Sequence, residues 1–334
     1  MQTLSAYRAF AKQVLEQGAS TKSKLLIDVW LLAIFKSVPP RMYFRYRLFE
    51  RQESVDHWLL DHQISALFPK LNNYAVDMRI RDKQLFRQFC LQHGFAHPAN
   101  LDINKEQVLP EQFIIKPKSG NGGRGFMLIK RHRLGWQLSD DIGTVINTAD
   151  LAETINVLYG DNFIIQKQLL NHSAFSFIAS SKLVTLRIFT GWVLQEQGNR
   201  YEVEALHGVL FIPKPGQQTS NNGYLVQVDL LTGELGNMHS RKPLSRSLSH
   251  YPGLNKKVAG TCLPYIDNSV DLAMRAHAHF NRHVFLAWDI AITQQGAVLL
   301  EANENFDIAA IQITMQCPVG STALGKACLH HCKL

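Results

Sequence analysis

Two segments that lie far apart in the chain carry side chains that could do chemistry together. FIIKPKSGNGGRGFMLIK, near residue 113, supplies a lysine followed by a glycine-rich turn. FLAWDIAITQQGAVLLEANEN, near residue 285, supplies Asp289, Glu301 and Asn303. The first set of groups suits phosphates and the second suits a divalent metal ion. Together they predict a site that holds a nucleoside triphosphate from two sides.

The lysine-containing segment has the pattern of a strand, a glycine turn and a second strand. Residues 113–117 form a short, mostly apolar run, so Lys116 is predicted near a strand end, where its ammonium could reach a phosphate oxygen. Ser119 could add a hydroxyl donor. Glycine allows backbone torsions that are closed to other residues, so main-chain N–H groups could turn inward as an anion cradle. The glycines of this turn are Gly120, Gly122, Gly123 and Gly125.

Other interpretations of these glycines are available. Gly120, Gly122 and Gly125 satisfy the dinucleotide fingerprint G-x-G-x-x-G, but that fingerprint requires a following helix and an acidic residue roughly 20 positions later. Here the strand-like run FMLIKR follows at once. A Walker A loop is excluded because no G-K-[ST] sequence follows the glycines. Taken alone, the segment fits an ordinary glycine-rich hairpin as well as a phosphate-binding flap.

The acidic segment predicts a β-hairpin. LAWDIAIT and AVLLEAN are apolar runs separated by residues 294–296, a short loop that ends in glycine. With a three-residue loop, Thr293 pairs with Ala297 and Asp289 falls opposite Glu301. The two carboxylates are therefore predicted to face each other on neighbouring strands.

Two facing carboxylates need a cation. On an otherwise apolar hairpin, Asp289 and Glu301 would repel each other and lose hydration unless a positive ion joined them. Asn303, two residues after Glu301, would add an amide on the same face. Mg²⁺ fits best, because it binds through one or two carboxylates together with substrate phosphates. The alternative is a solvated sheet face on which the acids meet by chance.

With these residues in view, the chain resembles the ATP-grasp superfamily, and most closely its sugar-transfer-associated branch, which is related to alpha-L-glutamate ligases. The resemblance runs from about Tyr43 to Asn305. Besides the two segments above, it includes RDKQLFRQFCLQHGFAHP near residue 81, FIIQKQLLNHSAFS near 163, LVTLRIFTGWV near 183, NNGYLVQVDLLTGEL near 221, and YPGLNKKVAGTCLP before the helix that leads to Asp289.

The resemblance implies a set of ATP-binding residues. Lys83, in the triplet that opens a helix, would contact the α-phosphate, and Lys116 would contact the α- and β-phosphates from the flap. Asn222 lies in a family motif near the active site. The hinge that binds adenine would consist of Gln166, Lys167, Gln168 and Leu169.

The resemblance also implies how the reaction is catalysed. Arg187 would neutralise charge on the transferring phosphate, with Lys116 as the second catalytic cation. The metal ligands for Mg²⁺ would be Asp289, Glu301 and Asn303.

Two departures from the family pattern bear on the site. Gln166 stands where the superfamily more often has an acid, which weakens the expected contact with the adenine amino group. Asn303 is followed by Glu304, Asn305 and Phe306 rather than by the Asn-x-x-Pro-Gly ending that is common in ligases. We therefore expect an intact triphosphate site with a reshaped acceptor end, and an inactive pseudoenzyme is not favoured.

The implied reaction is ligation, in which a substrate carboxylate attacks the γ-phosphate of ATP and a nucleophile then displaces phosphate from the acyl phosphate. Two alternatives stay open: transfer of phosphate to a hydroxyl group, and a non-catalytic ATP-binding partner of a glycosyltransferase system. The family's association with sugar transfer suggests a role in surface polysaccharide biosynthesis. His207 is a candidate general base, although a lone histidine among strand residues is more often structural.

The predicted architecture is an α+β ATP-grasp fold, with an antiparallel flap over a larger mixed α/β body. An N-terminal helical region breaks at Pro39 and Pro40 and resumes as a helix through residues 45–68. The predicted divisions are residues 1–65 for the helical region, 66–110 for the N-terminal ATP-grasp subdomain, 111–165 for the flap and 166–334 for the C-terminal subdomain with the metal site.

Composition predicts a soluble, cytoplasmic enzyme. The 334 residues are 46% hydrophobic and 19% charged, without the roughly 18 consecutive apolar residues of a membrane span. Five irregularly spaced cysteines favour reduced thiols over disulfides. The tail CLHHCKL contains zinc-type ligands, but their spacing is too tight for one tetrahedral ion, so a helix end is the favoured interpretation.

The N-terminal region carries much of the net charge of +8. Arginines between residues 41 and 51 alternate with aromatic residues, a pattern that would allow base stacking in a nucleic-acid complex. The neighbouring run LLIDVWLLAIF reads as an amphipathic helix that could touch a membrane surface. Structural packing is the favoured interpretation, peripheral membrane contact the second, and nucleic-acid binding the least favoured.

Overall fold

The computed structural model describes residues 2–18, 20–72, 74–103, 108–120, 124–141, 143–178, 182–195, 200–217, 219–220 and 222–332. Side chains are not described for residues 2–6, 61–62, 64–65, 329–330 and 332. The helices in these ranges are α1 (Gln2–Glu16), α2 (Lys22–Phe35), α3 (Pro40–Arg45), α4 (Asp61–Leu71), α5 (Met78–Arg81), α6 (Lys83–Gln92), α7 (Leu151–Tyr159), α8 (Ile266–His277), α9 (Ala309–Met315) and α10 (Ala323–Cys332).

The first sheet has five antiparallel strands in the order β4-β3-β2-β1-β5. Its strand β1 alternates in burial, so Phe113 and Ile115 enter a small core with α7 while Ile114 and Lys116 lie on the other face. The strands are β1 (Gln112–Pro117), β2 (Met127–His132), β3 (Gly135–Ser139), β4 (Val145–Thr148) and β5 (Phe163–Lys167).

The second sheet has six antiparallel strands in the order β13-β12-β6-β7-β8-β9. A two-stranded ribbon, β10 with β11, lies outside it. The strands are β6 (Thr185–Gln195), β7 (Arg200–Ile212), β8 (Tyr224–Val228), β9 (Leu235–His239), β10 (His250–Tyr251), β11 (Lys256–Lys257), β12 (Phe285–Thr293) and β13 (Gly296–Asn303).

The two faces of the six-stranded sheet pack against different helices. Ile188 and Trp288 belong to the face that forms a core with α6 and α8. Phe189 and Phe285 belong to the opposite face, which forms a second core with α1 to α4, α9 and α10. Because side chains alternate along a strand, Arg187 shares the face of Phe189. The N-terminal helices therefore pack on the face that carries the predicted catalytic arginine.

The N-terminal region is helical but more broken than the sequence predicts. The break at the two prolines is confirmed, since α2 ends at Phe35 and α3 begins at Pro40. The continuous helix predicted over residues 45–68 is wrong. Short 3₁₀ turns at Leu48–Glu50 and Val55–His57 separate α3 from α4, because packing buries Leu48 and Val55 in the core at the expense of helical propensity.

The alternating aromatic residues of this region are core residues. Tyr43, Phe44, Tyr46 and Phe49 are all less than 5% exposed and contact one another or neighbouring rings. Between them, Arg47 forms an ion pair with Glu50, three residues later. The base-stacking alternative for this segment is therefore wrong, because its rings are not available to a nucleic acid.

Candidate active site

A cavity of about 530 Å³ lies between the five-stranded and the six-stranded sheets. It has the size of a small-molecule site, and its wall combines apolar and charged groups. The predicted site residues that line it are Lys83, Lys116, Ser119, Gly120, Gln166, Lys167, Gln168, Leu169, Arg187, Asn222, Asp289, Glu301 and Asn303.

Three predicted glycines are not in that lining. Gly122 and Gly123 lie outside the described residues. Gly125 is described, with φ of 71°, but it packs against the flap itself. A Cβ atom at this position would lie only 2.8 Å from Pro117 Cγ. The carbonyl oxygen of Gly125 accepts a hydrogen bond of 2.7 Å from the hydroxyl of Tyr159. Gly125 is thus required by the shape of the turn.

Arg187, Asp289 and Glu301 form a row across three neighbouring strands. Asp289 pairs with Arg187 on β6 and with Glu301 on β13. Cross-strand partners point to the same face of a sheet, so the row projects into the cavity. The predicted opposition of the two carboxylates is confirmed by this register.

The hairpin reaches this register differently from the prediction. Thr293 pairs with Gly296, so the loop has two residues rather than three and the predicted pairing of Thr293 with Ala297 is wrong. A regular hairpin with this loop would set Asp289 opposite Leu300. A β-bulge between Asp289 and Ile290 makes Leu300 an extra residue, and the extra residue restores the pairing of the two acids.

The bulge also changes the wall of the cavity. Successive residues of a regular strand point to opposite faces. On β13, Leu299 enters the core on one side, whereas Leu300 and Glu301 both line the cavity on the other. An apolar side chain and a carboxylate thus stand next to each other in one site.

Asp289 is held by a bidentate ion pair. Arg187 Nε and Nη2 donate hydrogen bonds of 2.6 and 2.8 Å to Asp289 Oδ1 and Oδ2. Burial by itself would lower the pKa of the guanidinium, but the adjacent carboxylate raises it. Each carboxylate oxygen keeps a further lone pair, so the ion pair does not prevent Asp289 from binding a metal ion.

The ionised form of Glu301 is disfavoured at its position opposite Asp289. Burial raises the pKa of its carboxyl group, the charge of Asp289 raises it further, and three nearby cations oppose both effects. Asn303, on the same face, has a buried Nδ2 without a hydrogen-bond partner in the described part of the chain. A divalent cation carrying phosphate oxygens would satisfy both groups. Two carboxylates and an amide therefore fit Mg²⁺ bound together with a phosphorylated substrate.

No group of three or more histidine, cysteine, aspartate or glutamate side chains is placed to bind a metal among the described residues.

Lys83 and Lys116 approach the cavity from the other side. Burial lowers the pKa of Lys116 to about 8, Lys83 adds to this effect, and the two acids of the row oppose it. Lys83 opens α6, as predicted, and its Nζ donates a hydrogen bond of 2.8 Å to the carbonyl of Gly120. The helix start and the glycine turn are thereby tied together beside the cavity.

The hinge segment has an unsatisfied acceptor. Gln166 is 1% exposed, and its Nε2 donates to Asn100 Oδ1 at 3.1 Å. Its Oε1 is buried and has no hydrogen-bond partner among the described residues. A ligand with an amino group could fill that position, because a buried acceptor without a donor is costly.

Residues 63–322 match the family described as sugar-transfer associated ATP-grasp, which is well over half of the chain. The chain belongs to that family. The match confirms the predicted ATP-grasp fold, whose two antiparallel sheets and helices are described above. A search of the curated proteins finds no match.

Several solved ATP-grasp structures are similar in fold. N5-carboxyaminoimidazole ribonucleotide synthetase from Thermotoga maritima is 13% identical, with a TM-score of 0.38, over 74% of this chain and 50% of that one. D-alanine–D-alanine ligase from Bacillus anthracis is 9% identical, with a TM-score of 0.36, over 75% and 68%. L-amino acid ligase from Bacillus licheniformis is 10% identical, with a TM-score of 0.38, over 74% and 48%. The chain thus spans about half the length of the first of them, and no function follows from likenesses of this size.

Some residues of this ATP-grasp cavity escaped the sequence analysis. Arg241 lines it, forms an ion pair with Asp307, and lies 5.9 Å from the ring centre of Phe211. Arg124, in the flap turn, adds another cation. In the sequence, the altered ending after Asn303 drew attention to the segment that contains Asp307. It gave no indication of Arg241, the ion-pair partner of Asp307.

Only part of the segment that follows Asn303 lines the cavity. The side chains that line the cavity are those of Asn305, Phe306 and Asp307. Glu304 instead accepts a hydrogen bond of 2.7 Å from Arg81 and pairs with His283 at 3.2 Å. The residue after the predicted metal ligand Asn303 therefore links α5 to the segment that precedes β12.

The structure also places His207, the candidate general base, and His331 of the C-terminal tail. His207 lies on β7 opposite Phe189, is 8% exposed, and is absent from the described lining of the cavity. Burial lowers its pKa to about 4, so the structural interpretation of His207 holds over the general-base one. In the C-terminal tail, His331 Nε2 lies 2.7 Å from the carbonyl of Trp192, and His330 and Cys332 have no described side chains.

Proposed function

We propose that this chain is an ATP- and Mg²⁺-dependent ligase that joins a carboxylate to an amine or another nucleophile. One observation carries the proposal. Lys116 on the flap sheet and the row of Arg187, Asp289 and Glu301 on the larger sheet face one cavity. Cations and acids arranged in this way would hold a triphosphate and spread the charge of a phosphoryl-transfer transition state.

The nucleotide base would occupy the apolar part of the cavity. Ile114, Leu128, Leu183 and Leu300 line it and would enclose a flat ring. Gln166 Oε1 would accept a hydrogen bond from the amino group of adenine, which supplies the donor that this buried atom lacks.

The phosphates would meet the charged part of the cavity. Lys83 and Lys116 would contact them, and the turn at Gly120 would offer main-chain N–H groups. Asp289, Glu301 and Asn303 would hold Mg²⁺, which when bound neutralises phosphate charge. This reaction requires no protein nucleophile, so catalysis would consist of positioning and electrostatic stabilisation.

A carboxylate substrate suits this site better than a hydroxyl substrate. A carboxylate is already ionised at neutral pH and attacks phosphorus without losing a proton. No histidine occurs among the described residues that line the cavity. Arg241, a further guanidinium of the wall, would orient the acid. The family description connects this chain with sugar transfer, so we propose a saccharide-linked acid or acceptor and a role in polysaccharide biosynthesis.

The proposal is tested by ADP formation against panels of carboxylic acids, each with and without amines. A ligase needs both an acid and an acceptor for sustained ADP release. A phosphotransferase would release ADP with a hydroxyl compound alone, and a non-catalytic partner would bind ATP without turnover. Either of the last two results would overturn the proposal.

Matched variants give the controls. Asp289→Ala and Glu301→Ala should abolish ADP formation. Asp271→Ala should not, because Asp271 is an exposed residue on α8 that pairs only locally with Arg275 at 2.9 Å. Equal loss in all three variants would point to general damage to the fold instead of a metal site.

A further inference from the structure

Helix α2 exposes a large apolar face. In a folded protein, single exposed apolar residues are normal, but a contiguous group on one element marks an interaction site. The exposed fractions on this helix range from 47% to 74%. The side chains are Leu26, Ile27, Trp30, Leu31, Ile34 and Phe35.

The opposite side of α2 already provides its contact with the protein. Leu25, Val29 and Leu32 are at most 8% exposed and belong to the core shared with α1 and α3. At 100° per residue, the six exposed side chains cover an arc of about 180° on the other side. Apart from Asp28, the run from Leu25 to Phe35 is therefore apolar all round, and the prediction of an amphipathic helix is wrong. Such a helix is typically surrounded by apolar material on every side.

The one acidic residue of α2 is neutralised from the protein side. Asp28 accepts hydrogen bonds of 2.5 and 2.6 Å from Arg51 and one of 2.8 Å from the hydroxyl of Tyr43. These bonds turn the carboxylate away from the exposed arc. Between residues 25 and 35 the arc thus presents no charge to solvent.

Basic side chains stand at both ends of this apolar run. Lys22 and Lys24 are exposed in the first turn of α2. Lys36, directly after the last turn, is also exposed and forms an ion pair of 2.8 Å with Asp56. Residues 1–51 contain nine lysines and arginines but only three aspartates and glutamates. A partner for this region should therefore combine an apolar interior with a negatively charged surface, which is the chemistry of an anionic lipid bilayer.

The length of α2 decides how it could meet a bilayer. Its 14 residues extend about 21 Å, whereas the hydrocarbon core is about 30 Å thick. No helix in the described ranges is both long and apolar enough to cross a membrane. A helix of this length with a lateral apolar face suits the interface, where Trp30 would lie at the headgroup level and lysines would reach the phosphates.

We propose that α2 is a membrane-interface helix that binds the chain to anionic phospholipid through its exposed apolar face. The proposal is independent of nucleotide chemistry, so its test contains no ATP. The purified chain of 334 residues is sedimented with two kinds of vesicle. One kind is phosphatidylcholine alone, and the other also contains about 30 mol% of the anionic lipid phosphatidylglycerol. Binding should require the anionic lipid and weaken as salt rises.

Variants locate the contact. The triple substitution Trp30→Ser, Ile34→Ser, Phe35→Ser should weaken vesicle binding by at least about tenfold, because it removes three large apolar side chains from the face. The control is the double variant Leu134→Ser, Leu231→Ser. These two side chains are 81% and 89% exposed and lie in turns away from α2. The control should bind vesicles like the unaltered chain. Unchanged thermal melting of the triple variant would show that it is folded.

Fluorescence gives a second readout that does not depend on a disruptive variant. Trp30 is 47% exposed, Trp192 on β6 is half-buried, and Trp58, Trp136 and Trp288 are at most 6% exposed. Brominated lipid should therefore quench mainly Trp30, and Trp30→Phe should keep binding but lose most of the quenching. The proposal is overturned if the chain does not bind anionic vesicles, if the control variant loses binding equally, or if the face instead holds two copies together, seen as a dimer that the triple variant dissociates.

Discussion

Asp289 faces Glu301 across β12 and β13 because Leu300 bulges from the second strand. The bulge gives Leu300 a role in the cavity that Leu299, its neighbour, does not share. Leu300→Ala should weaken ATP binding by about tenfold, since it removes apolar contact with the base but leaves the row of charged residues unchanged. Calorimetric titration with MgATP measures the effect.

Leu299→Ala is the matched control for that variant. Leu299 is fully buried in the core with α8, so its truncation should lower the free energy of unfolding by about 2–5 kcal/mol. Leu300→Ala should change it much less. If Leu300→Ala destabilised the fold as much as Leu299→Ala, the side chain would be a core residue and not part of a binding wall.

The two facing carboxylates should respond oppositely to neutralisation. Asp289→Asn leaves the buried guanidinium of Arg187 without its counter-ion and should cost about 3 kcal/mol of unfolding free energy. Glu301→Gln removes a carboxylate whose pKa is raised by burial and by Asp289, so the Mg²⁺-free protein should be equally or more stable. Chemical denaturation in the presence of a chelator compares the variants, and both should lose Mg²⁺-dependent turnover.

Lys116 should make ATP binding depend on pH. Burial and Lys83 lower its pKa to about 8, below the ordinary lysine value of about 10.4, so the ammonium loses its proton above pH 8 in the nucleotide-free protein. Triphosphate binding favours the charged form and raises the pKa again. Between pH 8 and pH 10, affinity should therefore fall by up to about tenfold per unit, with proton uptake on binding.

Titration in two buffers of different ionisation enthalpy at pH 9 detects that proton uptake. Lys116→Arg stays charged over this range and should flatten the pH dependence, although it lacks the compact geometry of an ammonium. If the unaltered chain and the Lys116→Arg variant had the same pH profile of ATP affinity, the titrating group would be one other than Lys116.

Gln166 should control the choice of base. Its unpaired Oε1 can accept from the 6-amino group of adenine, which inosine triphosphate lacks. Gln166→Leu should bring the affinities for ATP and inosine triphosphate close together, a change of about tenfold in their ratio. Gln166→Glu should increase the preference for ATP, because a charged acceptor makes the stronger hydrogen bond. Competition binding with a fluorescent nucleotide gives the ratio.

His277 should lower stability in mild acid. It is fully buried, with Nδ1 at 2.6 Å from the hydroxyl of Thr190 and Nε2 at 2.8 Å from the carbonyl of His283. Burial lowers its pKa to about 4, so between pH 6.5 and pH 4 the unfolded chain binds the proton that the folded chain excludes. The unfolding free energy should fall across this window by an amount on the order of 3 kcal/mol.

Urea denaturation at pH 7, 5.5 and 4.5 measures this loss. His277→Gln should reduce the slope with pH while lowering stability at pH 7, because glutamine cannot titrate. The remaining slope would come from other buried histidines, since burial also lowers the pKa of His97 and His207 to about 4. A slope unaffected by the substitution would exclude His277 as its source.

The sequence by itself determined much of the site. Glycine spacing followed by a second strand predicted a flap rather than a nucleotide-binding βα turn, and β1 and β2 form that hairpin. A hairpin with strands of period two predicted that Asp289 and Glu301 share a face, although the loop length assumed for it was wrong. These features depend on local geometry, on the period of a strand and on the freedom of glycine, so they could be predicted from neighbouring residues alone.

Only the tertiary structure decided the rest. Arg187 meets Asp289, which is 102 residues later, because β6 and β12 are neighbours in the sheet. Likewise Leu300 leaves the strand pattern, and residues 45–68 break into turns, because packing against distant elements outweighs local propensity. The same holds for α2, whose sequence predicted an amphipathic helix. Only the assembled fold decides which side is buried in protein and which is left for another partner.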